Sequence, residues 1–138
     1  MKKLFTEFSI KNVKMKNRIC VPPMVMGFSD NDGYATSENV EHYIALAKGG
    51  AGLIIQEATC VNNDGKLMEK QLGIWKDDQI EGLKSIVNAV HAEGCPIFIQ
   101  IHHAGVIGIS EDPICPSPYE YKNAGRSVVG HEMTRRRY

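Results

Sequence analysis

Apolar positions along this chain change period in a regular order, and the changes mark its elements. Between Leu4 and Met15 they fall in two short extended segments, Leu4 to Ile10 and Val13 to Met15. The turn-favouring pair Lys11 and Asn12 separates them, which predicts a small hairpin. Arg18-Ile19-Cys20-Val21 is a compact apolar run halted by Pro22 and Pro23. Proline donates no backbone hydrogen bond and restricts the residue before it, so a buried strand with an abrupt end is expected. After the polar stretch GFSDNDGYAT, Thr36 or Ser37 can cap a helix with Glu38 in its first turn. Val40, Tyr43, Ile44 and Ala47 then recur at helical spacing, and Gly49 and Gly50 supply a left-handed stop. AGLIIQEATCV follows at once, too short for another helix and rich in β-branched residues, and reads as a second buried strand.

Asn62-Asn63-Asp64-Gly65 marks a loop, and Asp78 with Glu81 resembles a capping box in which aspartate stands for serine or threonine. The next helix puts Ile80, Leu83, Ile86, Val87 and Val90 on one face and ends at Gly94, and PIFIQIHH supplies a third strand. Strand, helix, strand, helix, strand with short connections specifies right-handed crossovers and a parallel sheet. From Ala104 the pattern dissolves into glycine, proline and serine, with no third amphipathic helix before the closing HEMTRRRY. A long connection of this kind reads as an active-site loop without the element it should lead into, or as a disordered one. The expected organisation is thus a hairpin over residues 1–17, a βαβαβ unit over 18–103, and a long loop and tail over 104–138.

Composition narrows the choice of function. The chain has 138 residues, 43% hydrophobic and 23% charged, and its 16 basic residues balance 16 acidic ones. That balance removes any broad attraction for nucleic acid or an anionic membrane. Arg135-Arg136-Arg137 then reads as a solvated tail. Cys20, Cys60, Cys95 and Cys115 form neither a CxxC pair nor a zinc cluster, and three of them lie in or beside apolar runs. Buried thiols acting as small hydrophobes in a reducing compartment are expected. With no secretory apolar region and no window approaching the roughly 20 apolar residues of a membrane span, the expected location is cytoplasmic.

Ligands of parallel α/β sheets bind at the carboxyl ends of the strands, so chemistry is sought where each strand stops. The first ends in PPMVM and the second in QEATCV, where Glu57 is an ionisable group in an apolar run. A buried carboxylate must be neutralised, paired or functional, and structural pairing is the commoner outcome. The third strand ends in QIHHAG. Alternation puts Gln100 and His102 on one face and Ile101 and His103 on the other, so the two histidines cannot share a metal, and no metal site is expected. Gln100 offers both donors and acceptors, as reading the edge of a heterocycle requires. There is no GxGxxG after a strand, no GxxxxGK[ST] and no GxSxG. Rossmann, P-loop and hydrolase chemistries therefore lack their phosphate cradles or nucleophile.

NRICVPPM, DGYATSENVEHYIALAKGGAGLIIQEATCV, QLGIWKDDQIEGLKSIVNAVHAEG, IQIHHAG and CPSP, in this order, resemble the amino-terminal portion of the old yellow enzyme family. The branch containing NADH:flavin oxidoreductases and 2,4-dienoyl-CoA reductases is most similar. The resemblance implies an α/β fold, part of a (β/α)8 TIM barrel that binds FMN and passes a hydride from NADH or NADPH to an activated alkene, a small-molecule substrate. It also implies that Pro23, Met24 and Val25 run beside the flavin, that Ala58 lets the ring approach the second strand, and that Gln100 meets its pyrimidine edge. Two positions depart from the family: Val25 stands where many relatives have cysteine or threonine, and Val106 follows Gly105 where they usually have arginine.

A complete barrel of this kind takes about 250 residues, and three strands and two helices are read here. The family's substrate-anchoring histidines, its tyrosine proton donor and its phosphate-binding residues belong to later strands, so no catalytic residue is assigned. A truncated chain, with the barrel completed or stabilised as a homo-oligomer, is expected. The competing readings are a non-catalytic partial barrel without flavin turnover and, further off, a fragment of another phosphate-binding barrel.

Overall fold

The computed structural model of the chain describes residues 3–123 and 125–134. The triple arginine therefore lies outside the described residues. Strands β1 (Phe8–Ile10) and β2 (Val13–Met15) form the expected antiparallel hairpin, with Phe8 opposite Met15 and Ile10 opposite Val13. Lys11 takes a positive φ of 51° to turn the chain between them. The first strand is shorter than its apolar residues suggest. Lys3 to Thr6 instead form a turn closed by the Thr6 N–H on the Lys3 carbonyl, and Leu4 and Phe5 are exposed.

The central unit runs β3 (Cys20–Val21), α1 (Ser37–Lys48), β4 (Leu53–Cys60), α2 (Ile80–Ala92) and β5 (Ile97–His102). Its three strands pair in the order β3-β4-β5, both pairs parallel, as the alternation of elements requires. Tyr43 and Ala47 of α1 and Leu83, Ile86 and Val90 of α2 pack with Ile54 of β4 and with Leu72 in one core. The apolar stripes of both helices thus meet the sheet on one side. The described strands do not close into a barrel, and no helix among the described residues is long and apolar enough to cross a membrane.

Local details differ from the sequence reading for identifiable reasons. β3 is not buried: Cys20 is exposed and Val21 half-buried, because β3 is an edge strand with a neighbour on one side only. Cys60, Cys95 and Cys115 are buried free thiols. Gly49 keeps a right-handed φ of −64° at the end of α1, and Gly50 alone makes the left-handed turn at φ 95°. α2 is not started by Asp78 and Glu81. A 3-10 turn over Asp77–Gln79 precedes it, and Gln79 Oε1 accepts the Trp75 and Lys76 N–H groups at 2.9 and 3.1 Å. Gln79 outcompetes the shorter aspartate because its side chain reaches back over the turn while its Nε2 donates to the Asp32 carbonyl.

The larger difference lies beyond Ala104, where a structureless loop was expected. The segment holds β6 (Ile114–Cys115), β7 (Tyr119–Asn123) and β8 (Arg126–Glu132), in the order β6-β8-β7. β7 and β8 form an antiparallel hairpin, and the Arg126 guanidinium donates to the Gly108 and Ser110 carbonyls, fastening it to the preceding loop. β7 is exposed along most of its length, and the covered face of β8 carries Arg126, Val128 and Gly130 while Val129 faces solvent, so the sequence lacks the apolar-inside alternation that marks a half-buried strand.

Candidate functional site

β4 and β5 end together at the Cys60–His102 pair, whereas β3 stops level with Ile54 and the irregular segment after it continues alongside β4; the register between β4 and β5 decides what shares that rim. Ile54, Ile55 and Gln56 pair in turn with Ile97, Phe98 and Ile99, and then the register shifts so that Ala58 pairs with Gln100. Glu57 is the extra residue of a β-bulge. Strict alternation counted from Ile55 would have put Glu57 on the Gln100 face. The bulge turns Glu57 toward α1 and returns Ala58 to the face of Gln100. A bulged residue leaves its backbone groups without ladder partners. Here side chains take both: the Glu57 N–H donates to the Tyr43 hydroxyl at 2.7 Å, and the Thr59 hydroxyl donates to the Glu57 carbonyl at 2.9 Å.

Pro23, Met24 and Val25 occupy the irregular segment leaving β3, on the other side of β4 from β5. Met24 is 62% exposed, and it also lines a cavity of about 90 Å³ with Val21, Met26 and His42. Its exposure argues against a role as core filler. The segment is tied to the bulge, because the Met26 N–H donates to Glu57 Oε2 at 3.0 Å. Ala58 is buried, while Gln100 is exposed and its carboxamide has no hydrogen bond to any described residue. The structure therefore pairs Ala58 with Gln100 directly and brings Pro23, Met24 and Val25 to the same end of the sheet through Met26.

Sequence reasoning did not single out Gln71, a fully buried residue that braces this rim. Its Oε1 accepts the Leu67 N–H at 2.6 Å, and its Nε2 donates to the Ala58 carbonyl at 2.7 Å and faces His102 Nδ1 at 3.3 Å. Because the oxygen is already engaged, Nε2 meets the histidine, so Nδ1 is the acceptor and the ring is neutral. Nothing local in the sequence marks this role, which depends on a contact 31 residues away.

Burial, and then the neighbouring His103, hold the His102 pKa below its usual 6.5. The unfolded chain therefore takes up this proton first as pH falls. The His102 contribution to stability is complete above about 6.5, and it is lost as pH drops through that value toward the lowered folded pKa. An NMR titration of the His102 ring is expected to show a midpoint below 6.5, and Gln71→Ala to raise it.

His103 lies just past the end of β5. Its Nδ1 accepts the Gly105 N–H at 3.1 Å, its ring lies against Gly65 where a side chain would collide, and its Nε2 is buried without a hydrogen-bond partner among the described residues. Among the described residues no group of three or more histidine, cysteine or acidic side chains could hold a metal ion. Beyond His103 a cavity of about 390 Å³ separates the end of β5 from β6, lined by Val106, Ile114, Cys115 and Met133 among others. The β6–β8 unit thus stands beside the end of β5.

A parallel sheet backed by two helices defines an α/β protein, with Ala58 and Gln100 paired on one face near the ends of β4 and β5. Comparison with known proteins gives the family. The model of the NADH:flavin oxidoreductase / NADH oxidase family matches residues 3–137. The NADPH dehydrogenase of Listeria welshimeri is 45% identical over 98% of this chain, and that of Clostridium acetobutylicum 42% over 96%. Among solved structures, the old yellow enzyme homologue from Zymomonas mobilis superposes with a TM-score of 0.88 at 30% identity, covering 97% of this chain and 40% of its own. A 2-naphthoyl-CoA reductase in complex with 2-naphthoyl-CoA gives 0.90 at 25% identity, covering 96% of this chain and 23% of its own. The chain belongs to the NADH:flavin oxidoreductase / NADH oxidase family, the old yellow enzyme group of flavin-dependent oxidoreductases that use NADH or NADPH. It spans about 40% of the length of the Listeria welshimeri and Clostridium acetobutylicum relatives.

Proposed function

We propose that this chain supplies three consecutive strands of the FMN pocket of an NAD(P)H-dependent oxidoreductase that reduces an activated alkene. The observation that carries the reading is the bulge-adjusted pairing of Ala58 with Gln100. It leaves a small side chain next to a carboxamide without a hydrogen-bond partner among the described residues, a donor set suited to a flat heterocycle with a mixed donor and acceptor edge. In this reading the Pro23, Met24 and Val25 backbone runs along the flavin, Ala58 admits the ring and Gln100 pairs with the pyrimidine edge. FMN, when bound, supplies the hydride chemistry. The residues of this chain orient the ring and place fixed dipoles around it. The Val25 side chain has no hydrogen to donate, so it offers the flavin no side-chain hydrogen bond that would tune its potential. The names of the relatives favour NADPH as reductant, and the 2-naphthoyl-CoA of the reductase complex is an aromatic ring conjugated to a thioester carbonyl, a conjugation that an activated alkene shares. A cytoplasmic location accompanies this reading.

Titration of the purified chain with FMN, followed by flavin fluorescence and visible absorption, tests it. Saturable quenching is expected, weakened about tenfold in Gln100→Ala, the order expected for one lost hydrogen bond to a desolvated edge. Absence of any saturable change at high flavin concentration overturns it.

The open edge of β5 favours a second reading. Ile99 and Ile101 are exposed, Ile101 at 68%, and a groove of about 410 Å³ runs between β5 and α2, lined by Ile80, Val87, Phe98 and Ile99. Uncovered edge strands with apolar faces pair with other chains. In this reading the chain is a non-catalytic partial barrel that completes itself as a homo-oligomer. Light scattering giving a mass of two or more chains with no flavin bound supports it, and a compact monomer opposes it.

A further inference from the structure

We infer that Glu57 is a positioning residue that fixes the Pro23–Met26 backbone at the rim of the site, with Tyr43 as its orienting partner; the consequence for the cofactor rests on the flavin reading above. The sequence marks Glu57 only as a carboxylate in an apolar strand, and nothing in the reaction chemistry calls on it. The structure gives it a defined place. Glu57 is 1% exposed and both carboxylate oxygens accept hydrogen bonds, Oε2 from the Met26 N–H at 3.0 Å and Oε1 from the Tyr43 hydroxyl at 3.3 Å. The Tyr43 hydroxyl in turn accepts the Glu57 N–H at 2.7 Å. Tyr43 is thus donor and acceptor to one residue, which locks the carboxyl group in a single orientation.

Two features separate this arrangement from ordinary space filling. Two donors converge on the two oxygens, so the site asks for a carboxylate; a carboxamide in its place would leave either Tyr43 or Met26 without an acceptor. The group is held there against a cost, since burial pushes the Glu57 carboxyl above its usual range and the Met26 and Tyr43 hydrogen bonds offset this only in part. The second feature is what the carboxylate reaches. Between Pro22 and Phe28 the chain has no regular secondary structure, and the two prolines bring no N–H. The bond from Met26 to Glu57 is therefore an anchor for a segment that no ladder holds. The bulge makes this possible, since only the extra residue turns the carboxylate toward α1 and the PPMVM segment while Ala58 stays on the face of Gln100.

Amide hydrogen exchange and FMN titration of the full chain, compared with Glu57→Gln and Tyr43→Phe, test the inference. In Glu57→Gln the Met26 amide is expected to exchange at least about tenfold faster while Ile54 and Ile86 keep their protection, and FMN affinity to fall about tenfold at an unchanged circular dichroism spectrum. Tyr43→Phe is expected to show the same local opening to a smaller degree, with the double variant no worse than Glu57→Gln alone. A merely structural role would instead speed exchange across β4 and α1 together. Should Glu57→Gln fail to fold, Tyr43→Phe decides, and an unchanged Met26 amide there overturns the inference. A folded Glu57→Gln with unaltered Met26 exchange overturns it as well. If the unsubstituted chain binds no FMN while Met26 still responds, the positioning stands and the flavin reading falls.

Discussion

Ile86→Ala is expected to lower the stability of the chain by about 3 kcal/mol, within the range for a large aliphatic side chain truncated in a core. Ile86 is fully buried on the face of α2 that packs with Ile54 and Leu72. Truncation removes apolar contact from both the helix and the sheet, and the void cannot refill, because its neighbours belong to three different segments. Urea denaturation should show a lower midpoint with an unchanged slope. Ile99→Ala, on the open groove beside β5, is expected to cost well under half as much, because Ile99 is already exposed to solvent. Similar losses at the two positions would mean that α2 does not pack on the sheet as described.

Ala58→Leu is the second large effect, and it falls on binding. Ala58 is buried and shares its face with Gln100. Three added carbons there would occupy the space into which a flat ring is to move, and the penalty of overpacking, up to about 3 kcal/mol, corresponds to roughly a hundredfold loss of FMN affinity. Circular dichroism and the urea midpoint separate this from general damage, since the same substitution also crowds the β4 backbone. Affinity that survives in a folded Ala58→Leu would remove Ala58 from the wall of the site.

Much of the frame was legible because it rests on local periodicity. The helical spacing of Tyr43 and Ala47, and of Leu83, Ile86 and Val90, located both helices and their buried faces, and the compact run from Leu53 to Cys60 located the central strand. What escaped depends on partners far away in the chain. The bulge at Glu57 exists only as a mismatch between β4 and β5, so no count along one strand could find it. The resemblance assigned Ala58 and Gln100 to one site, whereas alternation alone would have offered Glu57; the bulge reconciles the two. The roles of Gln71 and Gln79 were hidden for a similar reason, since a buried glutamine shows in sequence as a polar residue with no stated target. The β7–β8 hairpin was missed because β7 is exposed along most of its length and the covered face of β8 includes Arg126 and Gly130 while Val129 lies outside, which leaves no apolar alternation to read.

The central claim is that Met24, Ala58 and Gln100 form one wall of a flavin pocket. The most direct measurement is amide chemical-shift mapping of the labelled chain during FMN titration. The amides of Met24 to Met26, Ala58 and Gln100 are predicted to move together along one binding curve, with those of β1 and β2 unmoved. Shifts confined to the β7–β8 hairpin or to the α2 groove, with these residues silent while the flavin spectrum changes, would contradict it.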